Sequence, residues 1–238
     1  MERKFTFAED EFYHIYNRGT DKRLIFNDDD DYSYFQKLLF LCNSTERIIL
    51  RDLPRSMSVY DVKRKETLVD IGCYCQMPNH FHLLLYERKE GGISKFLAKL
   101  STAYVMYFNH KYKRTGSLFE GCFKAVYVDD DNYMQYLFAY IGLNPIKCIQ
   151  SDWKEAGIKK IKEARNYLTD YSYSSYQDYI GVEREQSSII EKANFPEYFE
   201  DQKDYHNFVD EWLTYADEFN VDGTIPEETE ASTQGSPV

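Results

Sequence analysis

The chain has no apolar run near the roughly 20 residues needed to cross a bilayer, and its opening, MERKFTFAED, lacks the hydrophobic segment of a secretory leader. Both absences predict a cytoplasmic protein without a membrane role. No CxxC pair is present either. The five cysteines, Cys42, Cys73, Cys75, Cys122 and Cys148, are odd in number and wrongly spaced for a disulfide framework or a structural zinc site, so they read as reduced and mostly buried thiols. There is no internal repeat. Positive charge is scarce as well: 29 Lys and Arg stand against 40 Asp and Glu, a net charge of −11 over 238 residues. That sum argues against a nucleic-acid partner only if the charge is evenly spread.

It is not. Residues 1–150 carry a net +1 and residues 151–238 a net −12, so the acidity belongs to the C-terminal third. Within the first part, the window Arg88–Lys124 holds eight basic residues against Glu90 and Glu120. Such a window suits a phosphate backbone. Lys95, Lys99, Lys113, Arg114 and Lys124 are its candidate contacts, with Phe119, Phe123 and Tyr127 interleaved as stacking platforms. A solvated helix face over core aromatics would produce the same pattern.

The periodicities alternate between two and 3.6. EFYHIYNRG reads as a strand and turn, and NDDDDYSYFQKLLFLCN as a capped helix with Tyr34, Leu38 and Leu41 on one face. Residues 45–66 read as a loop or small insertion. TLVDIGCYCQM and HFHLLLYE are two strands joined at Pro78-Asn79, and GGISKFLAKLSTAYVMYFNHKYKRTG is a long amphipathic helix. A strand near 123–128 and a helix stopped by Asn144-Pro145 complete the series. This order predicts an α+β fold: a ferredoxin-like antiparallel sheet with helices on one face, occupying residues 1–150. A mainly helical extension follows over 151–215, and 216–238 has the composition of a disordered acidic tail.

The chemistry concentrates in MPNHFHLLL. Side chains alternate along a strand, so His80 and His82 share a face with Cβ atoms about 6 to 7 Å apart while Phe81 and Leu83 point to the core. Two imidazoles so placed can meet on one ion, although two surface histidines on a half-exposed strand would look the same. Tyr140 and Asn144 in YIGLNP lie one helical turn apart, which offers a carboxamide ligand beside a phenol. With 22 tyrosines in the chain, spacing does not rank Tyr133, Tyr136 and Tyr140.

YHIYNRG, MPNHFHLLL, GSLFEGCFKAV and YIGLNP, in that order, resemble the single-tyrosine HUH transposases of the insertion-sequence 200-like type. Within them the nearest branch is the one associated with repetitive extragenic palindromes. The resemblance is strong over residues 12–149 and weak to about 215. It implies the HUH endonuclease fold and a metal site of His80, His82 and Asn144 holding Mg²⁺ or Mn²⁺. It further implies Tyr140 as the nucleophile of a DNA transposition and recombination reaction. Asn at position 144, where many relatives carry Gln, matches the palindrome-associated branch. The implied substrate is single-stranded or hairpin DNA, with Asn17 and Arg18 as further DNA contacts or simply turn residues. The implied assembly is a monomer or a homodimer. Two other readings stand beside this one: a domesticated, non-catalytic protein that recognises palindromic repeats, and a metal-binding regulatory or assembly module.

Overall fold

A computed structural model of the chain describes residues 6–214. The expected acidic tail, 216–238, lies outside the described residues. Seven elements form the core in the expected order: β1 (Phe12–Arg18), α1 (Asp29–Cys42), β2 (Val69–Met77), β3 (His80–Glu87), α2 (Gly92–Lys111), β4 (Lys124–Val128) and α3 (Asp131–Leu143). The strands make one antiparallel sheet in the order β2-β3-β1-β4, the ferredoxin-like arrangement. Residues 45–66 form no strand or α-helix and contain two short 3₁₀ turns.

Local chemistry sets the element ends. Asp28 caps α1 by accepting from the Asp31 N–H at 3.1 Å, and Asp130 caps α3 by accepting from that of Tyr133 at 2.8 Å. The Glu87 carboxylate accepts from the Ile93 N–H at 2.7 Å at the start of α2, where a negative charge suits the helix dipole. Met77 pairs with His80, which leaves Pro78 and Asn79 as a two-residue hairpin loop.

The sheet has two covered faces. Ile15, Phe81, Leu83 and Leu85 join the cluster under α1 and α2. Leu84 and, from β2, Cys73, Cys75 and Met77 join a second cluster beneath α3 and the extension. Helices therefore lie on one face as far as α1 and α2 are concerned, while α3 and the extension close the other. A bulge in β2 makes this possible: the register shifts between Ile71 and Cys73, so Val69 and Ile71 face one cluster and Cys73, Cys75 and Met77 the other.

The extension contributes α4 (Trp153–Ala156), α5 (Ile161–Asp170), α6 (Tyr176–Tyr179) and α7 (Gln202–Thr214). It shares the second cluster with α3 through Leu168, Tyr176, Tyr205 and Val209. It also runs along the outer edge of β2, where the Ser175 N–H donates to the Tyr74 carbonyl and the Gln76 N–H to that of Tyr173, at 2.9 and 3.0 Å. The cysteines are all free; Cys42, Cys73 and Cys75 are buried, and Cys122 and Cys148 are exposed. Among the described residues no helix is long and apolar enough to cross a membrane.

Candidate functional site

His80 opens β3 directly after the hairpin, and His82 follows on the same face. Their rings are perpendicular with centroids 5.0 Å apart. The neighbouring strand β1 sets Arg18 opposite His80 and Tyr16 opposite His82, so His14, two residues earlier, completes a polar row on that face. Helix α3 crosses above it. The Tyr140 ring stands edge-on to His82 at 5.4 Å and to His14 at 6.1 Å, and it stacks on Tyr136 at 5.5 Å. His82 is 1 % exposed, and His14 and Tyr140 are each 5 % exposed.

Each histidine is held at Nδ1. For His80 the partner is Asn79 Oδ1 at 2.7 Å. The Asn79 amide donates through Nδ2 to the Lys22 carbonyl at 3.4 Å, so its oxygen is the atom turned to the ring. His80 Nδ1 therefore carries the proton, and Nε2 is the nitrogen that would coordinate. For His82 the partner is His14 Nε2 at 3.0 Å.

Asn144 is wholly buried, one turn beyond Tyr140, and its Nδ2 donates to the Tyr140 carbonyl at 3.2 Å. Its Oδ1 is buried with no hydrogen-bond partner. A buried acceptor in that state is one that an ordered water, an ion or a ligand would satisfy, and a carboxamide oxygen is a suitable donor to a hard cation. Two imidazoles and a carboxamide oxygen are ligand types that divalent cations accept. Among the described residues no group of three His, Cys, Asp or Glu side chains is placed to hold a metal.

The spacing ambiguity among tyrosines is reduced by their surroundings. Burial pushes the Tyr133 phenol up to about 12 and raises that of Tyr136 as well. Of the three, Tyr140 is the one whose ring lies against both His82 and His14.

The expected DNA contacts are dispersed. Lys124 pairs with Tyr16 in the sheet, and its Nζ lies 5.8 Å from the Tyr16 ring centre, on the histidine face. Arg18 shares that face and is tied to Glu120 through both Nε and a terminal nitrogen. Asn17 is on the opposite face, its Oδ1 accepting from the Arg18 N–H at 2.9 Å. Lys95 and Lys99 belong to α2, which packs on the far side of the sheet. There Lys99 Nζ donates to the Ser44 and Glu46 carbonyls at 2.6 and 2.9 Å, beyond the end of α1. Lys113 is exposed just past α2, and Arg114 reaches Asn109 Oδ1 at 3.4 Å. His14 is the residue that sequence reasoning passed over. Its signal was its place in the alternation of EFYHIYNRG, legible only once β1 is known to lie beside β3.

Residues 37–144 match the model of a family described as "Transposase IS200 like", a span that includes both histidines, Tyr140 and Asn144. The match covers less than half of the chain, so it marks residues 37–144 as similar to IS200-like transposases. A solved structure described as "Structure of the REP associates tyrosine transposase bound to a REP hairpin" is similar at 12% identity and a TM-score of 0.47, over 78% of this chain and 89% of that one. No curated protein matches the chain.

Proposed function

We propose that the chain is a metal-dependent single-stranded DNA endonuclease and strand transferase that acts at hairpin or palindromic DNA through a covalent phosphotyrosine. The observation that supports it best is the meeting of the Tyr140 ring with His82, 5.4 Å apart, one turn from the unpartnered Asn144 Oδ1. His80, His82 and Asn144 would hold Mg²⁺ or Mn²⁺. Such an ion, when bound, supplies Lewis-acid polarisation of the scissile phosphate.

Tyr140 then acts at its phenol oxygen. An O–P bond forms between Tyr140 and the phosphate, the bond from phosphorus to the 3′ oxygen breaks, the phenol gives up its proton, and the departing 3′ oxygen takes one up. The DNA is left with a free 3′-hydroxyl and a 5′-phosphotyrosine. A second 3′-hydroxyl reverses the exchange and frees the phenol, so joining needs no nucleotide cofactor. Lys124 and Arg18, on the same face, would carry backbone charge.

The test is incubation of the protein with Mn²⁺ or Mg²⁺ and labelled hairpin oligonucleotides. Wild type is expected to form a denaturation-resistant adduct and Tyr140→Phe none. Adduct formation by Tyr140→Phe would remove the proposed nucleophile. The 5 % exposure of Tyr140 favours a second reading, a protein that binds palindromes without cutting them. Normal hairpin binding with no metal-dependent cleavage would establish it.

A further inference from the structure

We propose that His14 is a positioning residue for His82: through a buried hydrogen bond it holds the His82 ring in the tautomer able to bind a metal. This inference rests on the metal reading above.

The geometry comes from the sheet. β1 and β3 are antiparallel neighbours, and with Tyr16 opposite His82, residue 14 falls diagonally beside it on the same face. The two imidazoles lie nearly parallel, 19° apart with centroids at 5.2 Å, and His14 Nε2 is 3.0 Å from His82 Nδ1. Both rings are shielded from water, so this contact is not exchanged for a solvent one.

Two ring nitrogens at that distance share one proton, and one of them must accept. A metal-binding His82 needs its lone pair on Nε2, which puts its proton on Nδ1 and makes His14 Nε2 the acceptor. His14 in turn carries its own proton on Nδ1. One bond thereby selects the tautomer of both rings and fixes the plane in which His82 Nε2 points. Asn79 does the same for His80 with a carboxamide oxygen, so the two candidate ligands are held at the same ring atom by chemically different partners. With its Nε2 committed to His82, His14 stands behind the ligand instead of beside it.

The experiment uses the full-length protein and Mn²⁺ alone, titrated by electron paramagnetic resonance, with ¹⁵N imidazole spectra of the metal-free wild type. His14→Phe keeps the ring volume and loses the acceptor; it is expected to weaken Mn²⁺ binding about 10- to 100-fold, the usual cost of losing such a partner. His14→Gln, whose Oε1 can accept the same proton, should restore most of the affinity. The spectra should show His82 protonated at Nδ1 and bare at Nε2, a readout that stands even if the Phe variant does not fold. Undiminished Mn²⁺ binding by His14→Phe, or a proton on His82 Nε2, would overturn the positioning role alone. Three imidazole couplings to the bound Mn²⁺ would also overturn it, by making His14 a ligand. Wild type that binds no Mn²⁺ would overturn the metal reading and this inference with it.

Discussion

Asn144 shows how a single residue can be costly to the fold and useful to the site. Its buried Oδ1 has given up water without gaining a hydrogen bond, an arrangement that costs about 1–3 kcal/mol. Asn144→Leu removes that penalty together with the bond from Nδ2 to the Tyr140 carbonyl, and the two roughly cancel. Urea unfolding of the metal-free variant is therefore expected within about 1 kcal/mol of wild type, while Mn²⁺-dependent adduct formation is lost. A destabilisation of about 3 kcal/mol or more would mark Asn144 as structural. The His-x-His pair, Tyr140 and Asn144 were each visible in the sequence as residue types at suggestive spacing. The bond from His14 to His82 was not, because it joins residues 68 apart in the chain and depends on strand order.

Among the elements, α3 carries the greatest constraint, since Tyr140 projects from its last turn and Asn144 caps its C-terminal end. Gly142 sits between them, and a Cβ there would come within 2.7 Å of the buried Tyr205 hydroxyl on α7. Gly142→Ala gains helix propensity of up to about 1 kcal/mol but crowds a packed contact. It is expected to destabilise by about 1–2 kcal/mol net. In a Tyr205→Phe background the same alanine should be neutral or stabilising, a coupling read from a double-mutant cycle by urea unfolding. Four strands and three core helices were legible because each carries a clear period and a turn or cap at its ends. The bulge in β2 was not legible: VDIGCYCQM keeps an apolar residue at every second position from Val69 to Met77, an unbroken alternation that gives no sign of the phase change. The placement of the basic window was not legible either. Charge along a sequence says nothing of which side of the sheet a helix covers, and α2 takes Lys95 and Lys99 to the side away from the histidines.

For the whole molecule, the sheet is a shared wall. α1 and α2 close one side, and α3 with the extension closes the other, so residues 151–214 are continuous with the core that supports the candidate site. Arg184 fastens this arrangement. Its guanidinium donates to Asp178 at 2.8 and 2.6 Å and to the Ser172 and Ser174 carbonyls at 2.7 and 2.6 Å, and the pair is almost fully enclosed. Arg184→Met leaves the buried Asp178 carboxylate without a cation, with the Ser187 hydroxyl still donating to it at 2.8 Å, and about 3 kcal/mol of stability should be lost. Because the extension and the sheet share a core, far-UV circular dichroism and tryptophan fluorescence should report one coincident transition in wild type and in the variant; separate transitions would show that the extension folds by itself. The extension was the least legible part of the sequence, since its Tyr- and Ser-rich segment has neither period and gains its structure from β2.

The segment that lies along β2 also bears on how the chain behaves in a crowded cell. An open sheet has two edges, each a row of backbone donors and acceptors able to recruit a strand from another molecule. Here β4 is only five residues long and carries Lys124, while the nine-residue β2 is occupied from within by Tyr173 and Ser175, and further along by Glu191, whose N–H donates to the Ile71 carbonyl at 3.1 Å. The longer and more apolar edge is thus closed by the chain's own extension, which guards it against aggregation through strand pairing.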